Sequence, residues 1–196
     1  MDPAPDAAGQ AADARVVRTH NDILRATLQL LLGQGWEAVT HPNVAREAGY
    51  SRATVYNHWP TRNDLLRDAF NRVATMPHQP PSGDLRHDLI AELTGYRDEM
   101  QRHRLDRALA VLVDLTASNP DMIPVRDKLV ADGEQLVRDR LAPLLSGPRL
   151  DAAVLMLCGA VLQQALMHGE LPSDEVITAS VDLTLRAIDA TGPDPA

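Results

Sequence analysis

The sequence predicts an all-α protein, a small helical N-terminal domain followed by a larger helical one. Three observations carry this expectation. Apolar residues recur at helical spacing along most of the chain, and no stretch shows sustained apolar/polar alternation. A Pro-rich break, MPHQPPSGD at Met76–Asp84, then divides the pattern in two. With 196 residues, 44% of them hydrophobic and 23% charged, the chain can bury a core without disulfides or metals.

Residues 1–14 are rich in Ala, Pro and Asp, lack periodicity and read as a disordered arm. From Arg15 a helical stripe runs through Val17, Leu24, Leu28 and Leu31 to about Leu32, where Gly33 and Gly35 stop it. Thr40 can cap a second helix that tolerates Pro42 in its first turn and ends at Gly49. Ser51 caps a third, Arg52 to about His58, after a turn of about three residues. Thr61 and Asp64 have capping-box spacing, with Asp in place of Glu, and open a helix through Leu65, Leu66, Ala69, Phe70 and Val73. The N-terminal domain is therefore placed at 15–76.

Beyond the break, over 84–192, about five helices are expected: Asp84–His103, Arg104–Ser118, Asp121–Leu145, Arg149–His168 and Ser173–Thr191. Pro143 should disturb the last turn of the third. The fourth is apolar almost all round in its first half, so it needs partners on every side. Its longest apolar run, Ala152–Leu162, is about half the roughly 20 residues of a membrane span. The N-terminus shows no basic segment leading into an apolar one, so a soluble cytoplasmic protein is expected.

The net charge of −8 hides a split. Residues 15–72 carry eight arginines against five acids, whereas 73–196 carry eleven basic residues against nineteen acids. A basic segment on an acidic body is the asymmetry of a segregated nucleic-acid-binding head. A short helix, a tight Gly-containing turn and a second short helix over 40–59 form the helix-turn-helix pattern, whose second helix reads the major groove. Val55 should face inward, with Arg52, Thr54 and Tyr56 more outward; Ala53, beside them, is counted among the DNA-binding positions. Arg52 can fork onto guanine, and Thr54 offers a hydroxyl and a methyl to base edges. Tyr56, His58, Thr40 and Arg62 are candidates for phosphate, aided by backbone N–H groups at helix N-termini.

Thr40 to Leu66, THPNVAREAGYSRATVYNHWPTRNDLL, resembles the DNA-binding signature of the TetR family of transcriptional regulators. The resemblance rests on Val44-Ala45, Ala48-Gly49, Ser51, Thr54-Val55-Tyr56, His58 and Leu65-Leu66, with Gly35-Trp36 upstream. It covers about a third of the chain. Tyr50, Trp59 and Arg62 depart from the usual aliphatic, Phe and Lys. The resemblance implies a homodimeric regulator, most often a repressor, reading a palindromic operator and released by a small effector. Dimerisation would run through the last two long helices, 149–168 and 173–191.

In the C-terminal domain Tyr96, Met100 and His103 share one stripe; with Leu112 and Gln163 they are the candidate ligand-pocket residues, alongside a plain-core reading. Any such pocket should be aliphatic. Trp36, Trp59 and Phe70 read as core of the head, and Tyr50 as either packing or backbone contact. Cys158 and His168 lie about 15 Å apart along one helix, too far for a nucleophile–base pair, so an inert Cys158 and no enzyme are expected. No cofactor or metal site is expected. The alternative function is a helical dimeric small-molecule-binding or adaptor protein that does not bind DNA.

Overall fold

A computed structural model describes residues 7–73 and 80–192. The described residues form α-helices joined by short turns and contain no strand. The first helix, α1 (Ala7–Gln34), starts inside the segment expected to be disordered. Its opening turns are built from Ala, the strongest helix former, so propensity rather than apolar period extends the helix backwards. Residues 1–6 of that expected arm lie outside the described ones. Val17, expected in the buried stripe, is 58% exposed, and the burying face is Ile23, Leu24, Thr27, Leu30 and Leu31.

Helices α2 (His41–Ala48), α3 (Arg52–His58) and α4 (Arg62–Val73) start and stop on the expected signals. Thr40 Oγ1 accepts from the Asn43 N–H at 3.3 Å, and Ser51 Oγ from the Thr54 N–H at 3.1 Å. Gly49 closes α2 in the left-handed conformation, φ 75°, where a side chain would be strained. Thr61 and Asp64 form a reciprocal capping box: the Asp64 N–H donates to Thr61 Oγ1 at 3.1 Å, and the Thr61 N–H to Asp64 Oδ2 at 3.2 Å. Val55, Trp59, Leu65, Leu66 and Phe70 bury together beneath α1.

The C-terminal helices are α5 (Leu85–His103), α6 (Leu105–Ser118), α7 (Ile123–Leu141), α8 (Gly147–Gln163) and α9 (Asp174–Thr191). Helix α5 is central and packs against α6, α7, α8 and α9. A 3-10 turn, Pro120–Met122, precedes α7, which stops at Leu141 rather than Leu145. Pro143 supplies no N–H and crowds the carbonyl one turn back, so the helix ends before it. Helix α8 passes into a π-helical turn, Gln164–His168, ended by Gly169 at φ 71°. Gly147–His168 is long and apolar enough to span a membrane by length and composition alone. In the fold it packs on α5, α7 and α9, with Leu155 and Met156 left 62% exposed.

The two domains meet through α1 and α4 on α6, and α4 on α7. Polar ties cross the junction: Trp36 Nε1 donates to Asp114 at 3.0 Å, and Asn63 bonds Asn119 and Asp121. One continuous apolar cluster runs through both. Trp36, expected inside the core of the head, is thus half-buried at its border.

Candidate nucleic-acid interface

Helix α3 is anchored by Val55, fully buried, and by Trp59 just beyond its end, 2% exposed. At roughly 100° per residue, seating Val55 inward turns its neighbours outward. Arg52, Ala53, Tyr56 and Asn57 are exposed, and Thr54 and His58 are half-buried. Arg52 forms no ion pair among the described residues, so its five donors face solvent. The Thr54 hydroxyl shares a 2.8 Å hydrogen bond with Ser51 Oγ, which fixes its direction at the start of the helix.

Tyr56 is 48% exposed yet held by a partner that the sequence did not reveal. The His41 ring stacks on it with centroids 4.0 Å apart and planes within 3°. His41 is buried, and its Nε2 lies 2.7 Å from the Trp59 carbonyl. A carbonyl only accepts, so Nε2 carries the proton and the ring plane is locked. The first residue of α2 therefore orients the side chain of α3 that points to solvent. Nothing in the local spacing announces this pairing, because it joins two helices across a turn.

Trp59 is tied in turn by its Nε1–H to Asp68 at 2.8 Å. His20 packs against Trp59, ring centroids 4.6 Å apart, with Nε2 4.0 Å from Asp68. Burial, reinforced by His58 and Arg72 and opposed by Asp68, holds the His20 pKa below its ordinary value. Tyr50 packs partly buried against the core, its hydroxyl donating to Asp22 at 3.0 Å.

Two expected phosphate contacts have intramolecular work. Thr40 spends an acceptor lone pair on its helix cap while staying half-exposed. Arg62 has the more extensive set. Its Nε donates to the Val39 carbonyl at 2.7 Å and one Nη to the Trp36 carbonyl, with Cζ 4.8 Å from the Trp36 ring centroid. The side chain points back onto the segment before α2. Burial depresses its pKa, with Glu37 acting in the opposite direction.

The C-terminal domain encloses a cavity of about 150 Å³ between α5, α6, α7 and the end of α8. Of the five expected pocket residues, Tyr96 lines it. Met100 and Leu112 are buried core, 1% and 0% exposed, and do not. On α6 the lining stripe is Leu105, Leu109 and Val113, so Leu112 is rotated inward by one position. His103 is exposed and paired with Glu99 at 3.2 Å, and Gln163 is exposed against His168 at 3.1 Å. Glu134 lines the cavity and was missed, since its place depends on how α7 packs. Cys158 is buried, and burial pushes its thiol up to about 12, so the reactive thiolate is scarce at neutral pH.

A braced recognition helix on a four-helix head, joined to a larger helical domain, defines a helix-turn-helix transcriptional regulator. The family model for bacterial regulatory proteins of the tetR family matches residues 23–69. The HTH-type transcriptional regulator Rv1556 of Mycobacterium tuberculosis (strain ATCC 25618 / H37Rv) is 27% identical over 169 residues, covering 82% of this chain and 83% of that protein. The solved TetR family transcription regulator SCO0332 is 27% identical, with a TM-score of 0.59 over 89% of this chain and 99% of that one. A solved flavonoid-responsive regulator, FrrA, shares the fold with a TM-score of 0.72 at 16% identity, over 91% of this chain and 99% of that one. Residues 23–69 are thus similar to the DNA-binding segment of tetR-family regulators, and the chain shares the fold of solved members of that family.

Proposed function

We propose that this chain is a one-component, ligand-responsive repressor that binds a palindromic operator as a homodimer in the cytoplasm. The observation that carries the reading is α3: Arg52, Ala53, Thr54 and Tyr56 stand on a buried Val55–Trp59 anchor, with Tyr56 braced by His41. Exposed Leu155, Met156, Val176 and Leu183 on α8 and α9 support a seam between two copies. The cavity beside α6 supports an effector site, because α6 also touches the head. A small-molecule response is a property of the structural relative FrrA. DNA affinity would rest on the local basic face against a net charge of −8 per chain, and so should fall steeply with salt.

The test is selection from random duplex DNA with the purified protein, followed by affinity across a salt series. An enriched palindrome with half-sites about 34–36 Å apart, or a multiple, and a steep negative salt slope is expected. Uniformly weak binding without enrichment would favour a helical ligand-binding or adaptor protein instead.

A further inference from the structure

The cavity in the C-terminal domain has a charge preference of its own. Leu105, Leu109 and Leu129 form apolar walls, and Val113, Val130 and Leu166 rim an open mouth. The three rim residues are 57%, 39% and 37% exposed, so an apolar tail has somewhere to run. Against this lining stands one carboxylate, that of Glu134, whose side chain is 18% exposed. The nearest cation is Arg138 at 3.8 Å, beyond hydrogen-bond reach. Arg138 itself is committed to Asp151 at 2.7 Å. One guanidinium thus serves two carboxylates, and Glu134 holds the longer, weaker of the two pairs.

A carboxylate beside apolar walls gains most from a desolvated cation of its own. Tyr96 adds a ring to the same cavity, which attracts cations through its face. Gly133 lies beside the edge of that ring, where a Cβ would make only ordinary contact, 3.8 Å from Tyr96 Cε2. Burial raises the Tyr96 pKa, so the phenol stays neutral and does not compete as an anion. A volume of about 150 Å³ takes a body the size of a benzene ring. An anionic ligand would meet Glu134, and a large planar ring system would exceed the enclosed space.

We infer that this cavity selects a small aliphatic ammonium, its nitrogen on Glu134 over the Tyr96 ring and its tail against Leu105, Leu109 and Leu129. The inference rests on the ligand-responsive reading above and gives its effector a chemical class. Isothermal titration of the full chain with hexylammonium chloride, 1-hexanol and hexanoate tests it. Hexylammonium should bind at least about tenfold tighter than hexanol, and hexanoate weakest, as expected for one charge-assisted contact. Glu134→Gln should abolish that advantage and leave hexanol unchanged. Arg138→Met, which removes the competing cation, should increase it; this opposite sign keeps the test decisive if Glu134→Gln fails to fold.

Equal binding of amine and alcohol, or an advantage that survives Glu134→Gln, overturns the inference while the cavity remains an effector site. No binding of any probe overturns both. Tight, Glu134-dependent binding of hexylammonium that leaves operator DNA bound upholds the inference and removes the effector reading alone.

Discussion

Arg62 offers a sharp discrimination between a residue that holds the head together and one that holds DNA. Arg62→Met keeps the aliphatic stem and removes the guanidinium. Two charge-assisted hydrogen bonds are lost, to the Val39 and Trp36 carbonyls, together with the stacking over Trp36. Bonds to charged groups contribute about 1.5–3 kcal/mol each, and an exposed cation–π contact about 0.5–1. Arg62 is only half-buried, so water replaces part of the loss, and a net destabilisation of about 2–3 kcal/mol is expected. Trp59 lies in the core of the head and Trp36 at its border with α6, so fluorescence-detected urea unfolding reports the head and its junction. The salt series then separates the roles. A lost phosphate contact would lower the salt slope by about 0.9 per head, or about 1.8 for two heads. Because Arg62 points inward, the slope should stay unchanged while stability falls. A slope reduced by about 1.8 with wild-type stability would refute the reasoning.

Tyr56→Phe should weaken operator binding by about 1 kcal/mol per head without regard to sequence, by fluorescence anisotropy, if its hydroxyl meets a phosphate. His41→Leu should lower head stability by about 1–2 kcal/mol in urea, since it leaves the Trp59 carbonyl unpaired. Leu155→Asp combined with Leu183→Asp should give a folded monomer by light scattering, because both side chains are about three-fifths exposed on the proposed seam. A dimer that persists would place the seam elsewhere. Cys158 should resist a thiol reagent at pH 8 in the folded protein and react once urea unfolds it. Stability should fall as pH drops below about 6.5: His20 has a lowered pKa when folded, so the unfolded chain takes up its proton first. Above that pH the contribution is fully present, and His20→Gln should flatten this part of the profile.

The helix-turn-helix was legible because its signals are local. Thr40, Ser51 and the Thr61–Asp64 pair act within three residues of themselves, and Gly49 acts at its own φ. Such contacts depend only on the chain nearby, so spacing carries them. The start of α1 was missed because an Ala-rich turn is driven by propensity and leaves no apolar stripe.

What the sequence by itself determined is the all-helical order, the caps of the head and an inward Val55 with Arg52 and Tyr56 turned out. Only the tertiary structure decided which partner each long side chain took. Arg62 found two carbonyls more than twenty residues away, and His41 found Tyr56 across the turn. It also decided the cavity wall, where Val113 lines and Leu112 does not. A one-residue change turns a helical side chain by roughly 100°, and periodicity does not say which neighbouring helix meets that face. The packing of α6 and α7 sets that rotation and brings Glu134 to an otherwise apolar cavity.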